Sequence, residues 1–129
     1  MSHLRTCTTK ITSCNEEILR AAVQMVATDL GYTIGTIRSY AGQEVKCLVG
    51  VQIPSNYGSS NNGYGVKIEN GQLQVVGDDF GHTYKMEEFT SRVSAAYRSI
   101  AYASQLRKQG NQVNVQRKAN QYIVVGVKA

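Results

Sequence analysis

The chain has 129 residues, 42% of them hydrophobic and 18% charged. That is enough for one domain with one core, and it excludes an extensively disordered chain; no apolar run approaches the roughly 20 residues a bilayer span needs. The formal charge of +5 is unevenly spread: residues 89 to 129 carry seven Lys and Arg and no carboxylate, whereas the nine Asp and Glu all lie earlier. Such a split points toward an acidic or polyanionic partner.

The opening Met1-Ser2-His3-Leu4-Arg5 has polar residues where a secretory signal would place its apolar segment. A cytoplasmic or organelle-stromal protein with no membrane partner is therefore expected, not a secreted one. Cys7, Cys14 and Cys47 form an odd set without a C-x-x-C pair, so they read as reduced thiols, not a disulfide framework.

In chain order, Leu4 to Ile11 alternates as a strand. Ser13-Cys14-Asn15-Glu16 then forms a capping box that opens a helix. Leu19, Ala22, Val23, Val26 and Leu30 recur at helical spacing, and Gly31 supplies the left-handed stop. After Thr33 to Arg38 and a turn at Ser39 to Gln43, Val45, Cys47, Val49, Val51 and Ile53 alternate toward one buried face of a strand that Pro54 ends. Cys47 thus reads as a small buried hydrophobe. Ser55 to Gly63 is a Ser-, Asn- and Gly-rich loop.

Tyr64, Val66 and Ile68 lead to Asn70-Gly71, a two-residue type I′ hairpin signal, and Leu73 and Val75 return on the partner strand. A long helix runs from about Met86 to Gln109, with Phe89, Val93, Ala96, Tyr97, Ile100, Ala103 and Leu106 as its apolar stripe and Gly110 as its stop. Val113 and Val115, then Ile123, Val125 and Val127, mark two final strands joined around Lys118 to Gln121. The predicted fold is α+β in the order β-α-β-β-β-β-α-β-β: a mostly antiparallel sheet of six or seven strands with two amphipathic helices on one face. The other face is left to solvent or a partner.

These residues resemble a small family of uncharacterised proteins, a domain of unknown function encoded in algal plastids and cyanobacteria with relatives elsewhere. The resemblance spans nearly the whole chain and is carried by Met1-Ser2-His3, Leu30-Gly31-Tyr32, the Tyr40-x-Gly42-Gln43 turn, Asp79-Phe80, and Tyr97 with Lys108-Gln109-Gly110. Such relatives usually have acidic residues in and after the second helix, where this chain has none. The resemblance implies no activity. Because family members are often encoded beside an AAA-type ATPase, it implies an accessory role with such an ATPase as partner.

Candidate chemistry is sparse. Asp78, Asp79 and His82 could hold a metal or move a proton, but successive side chains of an extended segment diverge, and Asp before Gly is ordinary turn chemistry. The two histidines and three cysteines lack metal-knuckle spacing, and the glycine-rich loop lacks the lysine of a phosphate cradle. No enzyme, metal or cofactor is expected. A non-enzymatic accessory or interaction module is predicted, one that holds another macromolecule, a protein first of all, through its open sheet face, its edge strands or its basic C-terminal surface. The residues singled out are Tyr40, Gly42 and Gln43 at the turn and Arg98, Lys108, Arg117 and Lys118 on the basic surface. Sequence-tolerant RNA or DNA binding, with Tyr102 as an exposed stacking platform, is the alternative; a small enzyme at Asp78, Asp79 and His82 is the third reading.

Overall fold

A computed structural model of the protein describes residues 4–39, 42–53, 63–78, 83–118 and 121–128. Its elements are β1 (Leu4–Thr8), α1 (Glu16–Leu30), β2 (Thr33–Ile34), β3 (Val49–Gln52), β4 (Gly63–Glu69), β5 (Gln72–Asp78), α2 (Thr83–Lys108), β6 (Asn111–Lys118) and β7 (Gln121–Lys128). The α+β class, the element order and the antiparallel pairing follow the expectation. The strands divide between two sheets: a five-stranded sheet in the order β1-β5-β4-β3-β2 and a separate β6-β7 ribbon.

Helix α1 starts differently from the capping-box expectation. Asn15, not Ser13, is the N-cap, and its Oδ1 accepts from the Ile18 amide at 3.0 Å. The cause is tertiary. The Cys14 amide donates to the Gly71 carbonyl at 2.9 Å and the Asn15 amide to the Tyr97 hydroxyl at 2.8 Å, while Ser13 adopts a left-handed φ of 51°. Contacts to a hairpin turn and to α2 thereby select which residue caps the helix. At the other end Gly31 takes φ 74°, and Tyr32 donates back to the Ala27 carbonyl at 2.8 Å, closing the helix with a Schellman motif.

Both helices pack on one face of the large sheet. Leu19, Val23 and Val26 of α1 and Met86, Phe89 and Val93 of α2 meet Val51, Tyr64, Val66, Leu73 and Val75 in one core. Phe89 lies between Tyr64 and Tyr32, with ring centroids 5.1 and 6.5 Å away. Each such fully buried aliphatic or aromatic side chain contributes about 1.5–3 kcal/mol. Two hydroxyls buried on α2 are satisfied within the helix: Thr90 donates to the Met86 carbonyl at 2.7 Å and Ser94 to the Thr90 carbonyl at 2.9 Å. The β4–β5 hairpin turns at Asn70 and Gly71, with φ of 51° and 78°, as a type I′ turn requires.

Over β3 and β4 the opposite face of this sheet is covered, contrary to the expectation, while Leu4, Thr6 and Thr8 of β1 stay exposed on it. The predicted nine-residue strand over Val45–Ile53 is reduced to β3, and the residues around Gly35, Ile37 and Cys47 fold back over the sheet instead. Gly50 and Gly65, directly paired across β3 and β4, form a floor there. Ile37, 1% exposed, lies on that floor: a Cβ on Gly50 or Gly65 would come within 3.4 or 3.3 Å of it. Cys47 is therefore not beside Val49 and Val51. It covers Gly65, where a Cβ would stand 2.8 Å from that of Cys47. Partial burial, then the Glu44 carboxylate, raises its thiol pKa above the ordinary value.

Candidate interaction surface

Pairing of Asn111 with Lys128 through Lys118 with Gln121 assigns each ribbon residue to a face. The inner face carries Val113, Val115, Tyr122 and Val124, and Gly126 lies so near α2 that a Cβ there would be 3.3 Å from Leu106. The outer face carries Gln112, Asn114 and Gln116 on β6 opposite Val127, Val125 and Ile123 on β7. These three aliphatics are 60%, 38% and 37% exposed. One face of the ribbon is thus packed on the protein, and the other presents an aliphatic row beside an amide row.

Polar contacts hold the ribbon in place. At its base the Arg107 guanidinium donates to the Val113 carbonyl at 3.0 Å and the Asn111 side-chain Nδ2 to the Leu106 carbonyl at 3.1 Å. At its far end Arg117 forms an ion pair with Asp29, and the Tyr122 hydroxyl donates to the other oxygen of that carboxylate at 3.0 Å. Asp29 lies in the last turn of α1, which has no basic residue of its own and where the helix dipole disfavours negative charge. Arg117 supplies the missing cation from the ribbon. Burial raises the Tyr122 phenol pKa, against the opposing pull of Arg92 and Arg117.

The residues singled out from sequence do not form one site. Tyr40, Asp79 and His82 lie outside the described residues, as does the interior of the expected 55–63 loop. Gly42 and Gln43 close a tight turn: the Gly42 amide donates to the Ser39 carbonyl at 2.9 Å, Ser39 donates to the Gln43 carbonyl at 2.8 Å, and Gly42 takes φ 85°. Arg38 adds a bond to the Gly42 carbonyl at 3.0 Å. This turn is the tip of the segment that covers the large sheet. Asp78 ends β5 opposite Leu4, and Lys118 ends β6 opposite Gln121. Among the described residues, no three His, Cys, Asp or Glu side chains gather as metal ligands.

The basic surface is partly spent within the fold. Arg117 pairs with Asp29, and Arg92 pairs with Glu88 at 3.3 Å. Arg98 and Lys108 remain exposed on α2, where Arg98, Tyr102, Gln105 and Gln109 follow one another at helical spacing along an exposed stripe. Tyr102 is 55% exposed, whereas Tyr97 is buried in the core, in line with the stripe read from sequence.

Sequence reasoning missed the aliphatic row. The run Tyr122-Ile123-Val124-Val125-Gly126-Val127 is apolar at both parities, so alternation alone gives no sign of which face meets α2. Among the described residues no helix is long and apolar enough to cross a membrane. No family model, curated protein or solved structure matches the chain.

Proposed function

We propose that this protein is a non-enzymatic interaction module that holds a protein partner against the outer face of the β6-β7 ribbon. The supporting observation is the exposed row Ile123, Val125 and Val127 on a ribbon fixed from behind by α2 and by Asp29. A rigid aliphatic row loses little conformational entropy on binding, because β-branched side chains are already restricted. Covering the exposed part of the three side chains would contribute on the order of 2–4 kcal/mol, and Gln112, Asn114 and Gln116 beside them offer donors and acceptors for a polar rim. The resemblance to proteins encoded beside AAA-type ATPases makes such an ATPase the first partner to try.

A benzophenone-bearing amino acid in place of Val127 tests the reading by photocrosslinking. The expected product is a discrete heterologous adduct that disappears when Ile123 and Val125 are changed to Asn, and that is not formed from a probe at exposed Gln24 on α1. Equal crosslinking from both positions, or none from Val127, would sink the reading.

A second reading, RNA or DNA binding, is favoured by the Arg98-Tyr102-Gln105 stripe with Lys108 nearby on α2. It requires anisotropy-detected binding to mixed-sequence oligonucleotides that weakens linearly in log-log salt and is lost in an Arg98→Ala, Lys108→Ala variant.

A further inference from the structure

The β6-β7 ribbon has an edge as well as a face. Strand β7 is paired on one side by β6, and among the described residues no strand pairs its other side. An unpaired strand carries a row of backbone donors and acceptors that another extended segment can complete. Folded proteins usually blunt such edges with charge, proline or short length. β7 has none of these over Gln121 to Val127: it is eight residues long, with its one charge at the terminal Lys128. The other edges differ. β6 ends in Arg117-Lys118, β1 carries Arg5, and β2 has two residues.

We propose that β7 pairs with β7 of a second copy, antiparallel about a twofold axis at Val125, making a four-stranded sheet in the order β6-β7-β7-β6. The uncharged run of β7, which can pair with itself, selects this partner, and charge selects the place. Two copies each carrying +5 repel over most of their surface, and β7 is the longest stretch of edge strand where they can meet without placing like charges opposite one another. The faces select the register. A twofold perpendicular to the sheet keeps both outer faces on one side only if residues of the same parity pair. With Val125 on the axis, Ile123 lies opposite Val127 of the second copy, and the two rows fuse into six adjoining aliphatic residues. Lys128 falls opposite Tyr122 of the second copy rather than opposite another lysine. Shifting the axis to Ile123 would set Gln121 against Val125 and break the row. A two-stranded ribbon is marginal by itself, and extension to four strands meets the usual requirement for a stable sheet.

This inference rests on the reading of the ribbon as an interaction surface and specifies that the surface is doubled before any other partner binds. Sedimentation velocity of the full chain across micromolar concentrations tests it. The wild type should sediment at twice 14.1 kDa. Val125→Lys and Val125→Glu should each weaken self-association at least tenfold, and an equimolar mixture of the two should restore the dimer, because the two substituted residues face each other at the axis. Val125 is 38% exposed, so circular dichroism should find both variants folded.

A wild type that stays monomeric throughout, single variants that still dimerise, a mixture that stays monomeric, or an open-ended series of larger species would each overturn the proposal. The two readings fail separately. A monomer that still gives heterologous crosslinks from position 127 removes only the dimer, whereas a dimer without such crosslinks removes only the wider interaction role.

Discussion

The two sheets present outer faces of opposite character. On the five-stranded sheet the strands place Gly50 and Gly65 side by side, and Gly35, Ile37 and Cys47 of the connection before β3 lie down on them, with Ile37 buried at 1% exposure. On the ribbon the corresponding positions hold Ile123, Val125 and Val127, and no segment among the described residues covers them. Glycine permits close backbone approach, so a connecting segment can seal a face with few side chains. An uncovered β-branched row offers apolar area to another surface instead. The same chain therefore covers the β3-β4 part of one sheet and leaves the ribbon face open.

The contrast can be broken most forcefully at the glycine floor. A side chain on Gly50 would start from a Cβ 2.2 Å from the Gly35 carbonyl oxygen, a backbone atom whose residue also donates its amide to the Gly50 carbonyl. Gly50→Val should lift the covering segment and cost about 3 kcal/mol or more in urea denaturation. Ile37→Ala keeps the floor and removes the cover, for an expected loss of about 2–4 kcal/mol by the same measurement.

The attachment of the ribbon offers an intermediate test. Arg117→Ala should lower stability by about 1 kcal/mol, a modest loss because the Arg117 side chain is 47% exposed. Faster hydrogen exchange should follow at the β6-β7 end nearest α1, with little change in the large sheet. At the open row, Val127→Thr should shift stability by less than about 0.5 kcal/mol while reducing crosslinking of a partner from position 125. A loss at Val127 comparable to that at Ile37 would mean that the ribbon face is covered after all.

Much of the architecture was legible before folding was considered. The helical stripe from Leu19 to Leu30, the stop at Gly31, the Asn70-Gly71 turn and the long second helix all come from local patterns whose physical causes act within a few residues. Misreadings occurred where two segments compete for the same place. The alternation from Val45 to Ile53 is as regular as that of a real strand, yet its first half is drawn over the glycine floor. Ser13 has the spacing of a cap, but the Gly71 carbonyl and the Tyr97 hydroxyl bind the amides that follow it, and Asn15 takes the role. The charge count suggested a basic surface and could not reveal that Arg117 would meet an aspartate far away in the chain.

The class, the order of helices and strands and most of their ends are written in local sequence, because periodicity, capping and turn chemistry are short-range. Long-range packing set the split of the strands into two sheets, the cover of Ile37 and Cys47 over Gly50 and Gly65, and the outward aspect of Ile123, Val125 and Val127. Burial is a property of pairs of surfaces. A strand apolar at both parities acquires an inside only when a particular helix, here α2, packs against one of its faces.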